Sequence, residues 1–217
     1  VIPLTDTIKD FLYGLDDGPP KKADMEKMLD AAWREGVRVI IATPHVSPGI
    51  APFSLETIEQ RAAEAQDYCR AAGYAMRVLP GAEMLYTYQA DRYLAQGRIP
   101  TLGGSDKLLM EFSLDIRYEA LETAVQNVLR SGRVPVLAHI ERYPCLMRGG
   151  GAEQLKEDND VLFQVNAGTV LKGAGFRVKR GIHQEGLIVG GGRIDMLALQ
   201  LQAGSEVEPG KEALPAT

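Results

Sequence analysis

The sequence has few cysteines, and those it has are placed where they exclude two kinds of site. Cys69 and Cys145 are the only cysteines among 217 residues. Two cysteines so far apart predict neither a disulfide framework nor a cysteine metal pair. Neither has an arginine six positions later, which excludes the Cys-x5-Arg phosphate loop of cysteine phosphatases. Cys69 lies in a helical pattern and is interpreted as a small core residue.

Long apolar runs and an excess of basic residues are also missing. No apolar segment approaches the roughly 20 residues that span a bilayer. The first residues do not form a basic region followed by an apolar one, so no secretory signal is predicted and the cytoplasm is the default location. The net charge of −5 argues against a nucleic-acid surface. The negative charge does not exclude small anionic substrates, because a local basic site can lie on an acidic protein.

Short β-like runs alternate with helical patterns along the chain, which predicts an α/β fold of parallel strands and crossover helices. Seven strands are predicted, at about 2–6, 37–42, 75–79, 107–112, 134–138, 161–165 and 186–189. Seven repeats favour a closed or nearly closed barrel over an open doubly wound sheet. We expect one barrel domain over residues 1–205 and a disordered, polar tail over residues 206–217.

Three helices have recognisable ends. The apolar stripe from Met25 to Trp33 predicts an amphipathic helix capped by Gly36. A second helix is predicted from Ser54, as N-cap, to about residue 72, and a third over residues 117–131, ended by Gly132. The glycines at 149–151 are interpreted as a flexible loop.

Four potential metal ligands each follow a predicted strand: His45, Glu83, Glu111 and His139. In β/α barrels, the chemistry gathers where the carboxyl ends of the strands meet. Two imidazoles and two carboxylates suit zinc, manganese or iron, and a carboxylate can bridge two cations. The sequence therefore predicts a metal site at the mouth of a barrel.

Each of these residues also has a structural interpretation. A single histidine at a strand end is more often hydrogen-bonded than metal-bound, and Glu83 could cap the next helix. Glu111 is harder to explain in this way, because its apolar neighbours would make it a costly buried charge without a partner.

Other polar residues near the strand ends keep two interpretations each. Arg142 could bind a phosphate in bidentate fashion or form a surface ion pair with Glu141. Asn166 could orient a ligand or form a turn. The carboxylates of Asp16 and Asp17 are expected to be solvated or to cap the first helix.

Taken together, five motifs resemble those of the polymerase-and-histidinol-phosphatase (PHP) superfamily. They are Gly14-Leu-Asp-Asp-Gly-Pro19, Ala42-Thr-Pro-His45, Pro80-Gly-Ala-Glu83, Glu111-Phe and Ala138-His-Ile-Glu-Arg-Tyr-Pro144. Their order and spacing over roughly residues 4–196 are similar to those of its bacterial tyrosine-phosphatase branch, which is linked to capsule and exopolysaccharide synthesis.

The resemblance implies a distorted (β/α)7 barrel with a trinuclear, manganese-type site and hydrolysis of phosphotyrosine by metal-bound hydroxide. It implies that His45, Glu83, Glu111 and His139 are ligands and that Arg142 grips the phosphate. The implied partner is a tyrosine autokinase of polysaccharide export, whose phosphorylated tail is the substrate.

The first and last metal motifs of the family are altered in this sequence. Asp-x-His-x-His is replaced by Asp6-Thr-Ile8-Lys-Asp10, in which Ile8 cannot ligate a metal and Asp6 or Asp10 could be substitutes. Ser-Asp-x-His is replaced near Arg193 and Asp195. Arg193 could supply positive charge and bind phosphate, and Asp195 could be a displaced ligand. The remaining ligands predict one or two cations in place of three.

Three functions follow from this pattern. The first is a metal-dependent tyrosine phosphatase with a depleted cluster. The second is a pseudoenzyme that binds a phosphorylated partner without hydrolysing it. The third is a PHP-type hydrolase of a small phosphate ester, such as a sugar phosphate or histidinol phosphate.

Overall fold

The strands and helices alternate along the chain as an α/β fold. The computed structural model describes the backbone of residues 6–9 and all of residues 11–164. Within these residues the strands are β1 (Asp6–Lys9), β2 (Val39–Ala42), β3 (His45–Val46), β4 (Arg77–Pro80), β5 (Glu83–Leu85), β6 (Lys107–Glu111), β7 (Val134–Leu137) and β8 (Leu162–Phe163). The helices are α1 (Lys22–Arg34), α2 (Leu55–Ala71), α3 (Ala90–Ala95), α4 (Tyr118–Arg130), α5 (Pro144–Met147) and α6 (Gly151–Asp158), with short 3-10 turns at Leu102–Gly104 and Ile140–Arg142.

All the described strand pairs are parallel, as the alternating pattern predicts. One sheet has the order β1-β2-β4 and the other the order β3-β5-β6-β7-β8. The chain passes between the two sheets three times, from β2 to β3, from β3 through α2 to β4, and from β4 to β5. Within each sheet the strands lie in the order in which they occur along the chain, as in a β/α repeat.

Two of the predicted strands, at 37–42 and 75–79, are each followed by a second, short strand that was not predicted. The run at 37–42 continues as β3 after a break at Thr43 and Pro44, and the run at 75–79 continues as β5 after a break at Gly81. Proline lacks the N–H that a central strand would donate. The backbone N–H of Glu83 nevertheless donates to the Pro44 carbonyl at 3.1 Å, so the two broken strands stay aligned.

The predicted helix ends are confirmed. The Ser54 hydroxyl accepts a hydrogen bond from the backbone N–H of Thr57 at 3.2 Å, which satisfies one free donor at the start of α2. Gly36 and Gly132 follow α1 and α4 with φ of 90° and 77°. These left-handed conformations favour glycine at a helix C-terminus.

The described residues form two buried apolar clusters, a small one around Leu109 and Val136 and a larger one to which the helices also contribute. The fully buried side chains of the larger cluster include Leu29 of α1, Met84 of β5, Met110 of β6 and Leu137 of β7. Cys69 of α2 is also completely buried, as its helical pattern predicts. The core supports the strands at their centres and leaves their ends free for polar side chains.

The interpretation of residues 149–151 as a flexible loop is wrong at Gly151. This residue begins α6 and is buried. A Cβ atom added there would lie 2.3 Å from the Cys145 carbonyl oxygen, so close packing of α6 against α5 requires glycine at this position.

Several predictions lie outside the described residues. They are the strand at 186–189, the extent of the domain to residue 205 and the tail at 206–217. Among the helices that the structure does describe, none has the length and apolar character needed to cross a bilayer.

Candidate metal centre

The strand register brings the predicted ligands together. His45 lies opposite Glu83 in the parallel pair β3-β5. Leu85, two residues after Glu83, lies opposite Glu111 in the pair β5-β6. His139 follows β7 in the left-handed conformation, with φ of 36°. This conformation is uncommon for a residue with a side chain.

The four side chains form one cluster. His139 Nε2 lies 2.9 Å from Glu83 Oε1 and 3.2 Å from Glu111 Oε2. His45 Nε2 lies 3.9 Å from an oxygen of each of the same two carboxylates. One ligand atom each from His45, Glu83 and Glu111 lies within 4.8 Å of the others. The two glutamates thus stand between the two histidines.

The cluster is more buried on the side of His139. The side chains of His139 and Glu83 are 5% and 4% exposed, whereas that of His45 is 30% exposed. The backbone N–H of His139 donates to Gln164 Oε1 at 2.5 Å. The Tyr143 hydroxyl accepts from the backbone N–H of Phe112 at 3.1 Å and lies 3.4 Å from His139 Nδ1. Tyr143 and Gln164 therefore fix the position of His139 on its buried side.

Asp16 contacts His45 on the open side of the cluster. Its carboxylate makes a close contact with His45 Nδ1 and accepts a hydrogen bond from the His45 backbone N–H at 3.2 Å. Asp16, Asp17 and His45 also offer ligand atoms within 4.8 Å of one another. The Asp16 side chain is 36% exposed, as expected for a solvated carboxylate, but it contacts His45 and the start of α1 has no side-chain cap. Asp16 belongs to the Gly14–Pro19 motif, but the position of this motif in the sequence does not show that its loop contacts His45.

The carboxylates raise the pKa of both histidines. Burial alone would lower the pKa of His139, but hydrogen bonds from the imidazole to Glu111 and Glu83 raise it to about 9. Burial also opposes protonation of His45, whose pKa is nevertheless raised by the charges of Glu83, Asp16 and Glu111. Protonated imidazoles are thus stabilised at a position of strongly negative potential.

The interaction with the histidines also shifts the pKa of Glu111, in the opposite direction. Burial would raise the pKa of Glu111, but the hydrogen bond from His139 lowers it below its usual value. The charges of His45 and Arg142 act in the same direction. The Arg142 side chain is exposed, and its charge also lowers the pKa of His139. Its guanidinium therefore acts on the cluster from the solvent side.

The set of donors fits a divalent cation. Two buried or half-buried carboxylates and two imidazoles face one another, and the ion pairs of Glu83 and Glu111 in the described residues are all with histidine. A cation bound there would replace the imidazole protons and neutralise the carboxylates. Mixed imidazole and carboxylate ligands suit zinc, manganese and iron.

The remaining candidate residues are not placed by the structure. Asp10, Asn166, Arg193 and Asp195 lie outside the described residues. Asp6 and Ile8 are described only as backbone in β1, where Ile8 lies opposite Ile41 of β2.

The chain is similar to a known protein family and to proteins of known activity. The family model "Capsular polysaccharide synthesis, CpsB/CapC" matches residues 4–189. Tyrosine-protein phosphatase CpsB of Streptococcus pneumoniae is 32% identical over 143 residues, which are 66% of this chain and 59% of that protein. CpsB of Streptococcus agalactiae serotype V is 29% identical over 171 residues, covering 78% of this chain and 70% of that protein. The chain thus aligns with 59% of the pneumococcal protein's length.

A solved structure has the same fold. It comes from work on YwqE of Bacillus subtilis and CpsB of Streptococcus pneumoniae, which are described there as metal-dependent tyrosine phosphatases. The match has a TM-score of 0.71 and 26% identity, and it covers 81% of this chain and 72% of the other.

Proposed function

The chain belongs to the CpsB/CapC family of capsular polysaccharide synthesis proteins, and we propose that it is a metal-dependent protein tyrosine phosphatase. The main support for this proposal is the contact of His139 Nε2 with Glu83 and Glu111, at 2.9 and 3.2 Å. His45 lies beside the same two carboxylates. The similarity to tyrosine phosphatases in sequence and structure supports the choice of substrate.

The metal site is formed by His45, Glu83, Glu111 and His139, with Asp16 orienting His45 through its contact with Nδ1. The central position of the two glutamates suits one cation, or two that share a carboxylate. Manganese is the proposed metal. Bound divalent cations supply Lewis acidity, which activates water and stabilises charge on a phosphoryl group. Asp6, Asp10 and Asp195 are proposed as substitutes for the family ligands that this sequence lacks.

Arg142 is the proposed catalytic residue of the chain itself. Its exposed guanidinium acts electrostatically on Glu111 and His139, so it stands beside the cluster on the side open to solvent. A guanidinium binds two phosphate oxygens at once and offsets the charge that develops during phosphoryl transfer. Arg193 is proposed as a second phosphate ligand.

The proposed substrate is a phosphotyrosine-containing protein, and the proposed partner is a tyrosine autokinase of polysaccharide export. Dephosphorylation would then regulate capsular or exopolysaccharide synthesis. The parallel strands are proposed to belong to a distorted (β/α)7 barrel that forms one domain over residues 1–205. The cytoplasmic location and the absence of nucleic-acid binding remain predictions from the sequence.

The test combines metal analysis with turnover. The protein is purified with manganese, its bound metal is measured, and hydrolysis of a phosphotyrosine peptide is followed in the wild type, His139→Ala and Arg142→Ala. We expect bound metal and turnover in the wild type, loss of both in His139→Ala, and loss of turnover with metal retained in Arg142→Ala. Arg148→Ala is the matched control, because Arg148 is an exposed arginine of the same segment.

Other outcomes separate the alternatives. Less than one equivalent of metal and no turnover would contradict the phosphatase and favour the pseudoenzyme. Faster hydrolysis of a small sugar phosphate than of the peptide would favour the small-ester hydrolase. Turnover that survives both substitutions would show that the site is placed incorrectly.

A further inference from the structure

Three large apolar side chains are exposed in the part of the chain that the structure describes. Among the residues that the structure describes, the exposed large hydrophobic side chains are Ile50, Tyr88 and Leu114, which are 65%, 82% and 49% exposed. Each lies in the loop that follows a strand carrying a residue of the metal centre: β3 with His45, β5 with Glu83 and β6 with Glu111. We refer to these three side chains as the apolar rim.

The strand register places the rim beside the metal centre. His45 lies opposite Glu83, and Ile50 and Tyr88 each follow their ligand by five positions. Leu114 follows Glu111 by three positions. Parallel strands direct these loops toward the same edge of the sheet. A substrate that reaches the metal centre from solvent at that edge passes between these loops.

The two loops that carry Ile50 and Tyr88 are joined to each other. The Thr87 hydroxyl donates to the Pro48 carbonyl at 2.6 Å. Gly49 has φ of 74°, and a Cβ atom there would lie 2.6 Å from Cδ of Gln89. Gln89 Nε2 in turn donates to the Tyr88 hydroxyl at 3.0 Å. The segments 47–53 and 86–89 are therefore fixed relative to each other, which reduces the entropy lost when a ligand packs against both.

The rim and the metal centre differ in charge. The segments 47–53 and 86–89, which carry Ile50 and Tyr88, contain no charged residue, although Leu114 has Asp115 beside it. The neighbouring cluster holds two carboxylates and has Arg142 at its side. A phosphorylated side chain that enters here places its phosphate among charged groups and its remaining atoms among uncharged, apolar ones. Such a division matches phosphotyrosine, which carries its phosphate on an aromatic ring.

We propose that the apolar rim binds the phenyl ring of phosphotyrosine and the peptide residues next to it, with Tyr88 as the principal specificity-determining residue. This inference rests on the proposed function and deepens it. Packing of two aromatic rings adds a favourable interaction to the burial of apolar area. Phosphoserine and sugar phosphates have no aromatic ring to place against Tyr88.

The test compares Tyr88→Ala with Tyr88→Phe on a phosphotyrosine peptide. We expect KM to rise roughly 10-fold in Tyr88→Ala with kcat nearly unchanged, because an aromatic contact of about 1.4 kcal/mol corresponds to a tenfold change in affinity. Tyr88→Phe keeps the ring and removes only the hydroxyl, so its KM should stay near that of the wild type. Ile50→Ala in the Tyr88→Ala background should raise KM further.

A binding measurement separates this inference from the proposed function. A fluorescent peptide with a non-hydrolysable phosphonate in place of the phosphotyrosine phosphate is titrated with each variant. Weaker binding by Tyr88→Ala supports the rim even if the wild type hydrolyses nothing, in which case only the phosphatase is contradicted. Turnover by the wild type with unchanged KM and unchanged binding in Tyr88→Ala and in the double variant would overturn the rim and leave the phosphatase intact.

Discussion

The two histidines of the metal centre are held in different ways. His139 is 5% exposed and is supported by Tyr143 and Gln164, which are themselves buried. His45 is 30% exposed and contacts Asp16, a residue of the loop before α1. Glu83 and Glu111 face both histidines. We call the His139 side the inner half of the centre and the His45 side the outer half.

This difference shows which part of the fold prepares each half. The inner half depends on the packed core, because Tyr143 is completely buried and packs edge-on against Phe112, with ring centroids 6.0 Å apart. Dense packing leaves such side chains little freedom. The outer half depends on one surface loop, so it should tolerate changes better. Substitutions in the two halves can test this ranking.

The largest effect is expected at Glu83, because this residue serves both halves. Glu83→Gln keeps the shape of the side chain but removes the charge that a cation needs. We expect bound manganese to fall below one equivalent and kcat/KM to fall by about 10³-fold or more, since the metal contributes several kcal/mol to transition-state stabilisation. Metal analysis and peptide turnover measure the two effects.

Glu59→Gln is the matched control for this substitution, because Glu59 is an exposed glutamate on α2. It should leave metal content and turnover unchanged. Full metal occupancy in Glu83→Gln would show that metal binding does not need the Glu83 charge. Glu83 would then not connect the inner and outer halves.

A smaller effect, confined to the inner half, is expected in the pH dependence of the metal-free protein. The pKa of His139 is raised from 6.5 to about 9, so the folded state holds a proton that the unfolded chain releases at lower pH. This contribution is complete below pH 6.5 and is lost as the pH rises through about 9. We expect the free energy of unfolding to fall by roughly 3 kcal/mol across this window.

Chemical denaturation at several pH values measures this loss. His139→Gln should show a flatter profile between pH 6.5 and 9, and the difference between the two profiles isolates His139 from other titrating groups. Manganese should oppose the loss in the wild type, because it binds the neutral imidazole. Equal profiles for the two proteins would mean that the carboxylates do not hold a proton on His139.

Much of the fold and of the inner half could be predicted from the sequence. The stripe from Met25 to Trp33 and the caps at Ser54 and Gly132 follow local rules, and the structure has helices at these places. Residues at the ends of parallel strands share an edge whatever the loops do, which is why Glu111 and His139 could be placed together before the structure was known.

The outer half could not be predicted in the same way. The contact between Asp16 and His45 joins residues 29 positions apart, and it depends on how an irregular loop folds rather than on strand order. Asp16 itself has φ of 40°, a conformation that local pattern does not predict for aspartate. The short strands β3 and β5 were missed because Pro44 and Gly81 interrupt the apolar runs before them, which favours ending a strand there.

The smallest effect is expected from Asp16→Asn, which alters the outer half alone. Asp16 is 36% exposed and contacts one of the four central side chains, so water can replace part of what its charge contributes. We expect roughly a 10-fold loss in manganese affinity or in kcat/KM, at the lower end of what the loss of a ligand-orienting carboxylate costs. Calorimetric titration with manganese and peptide turnover measure the two quantities. Asp115→Asn is the matched control, because this exposed aspartate lies in the loop after β6, near Glu111. A loss as large as that of Glu83→Gln would show that the exposed loop, and not the buried core, determines whether the centre forms.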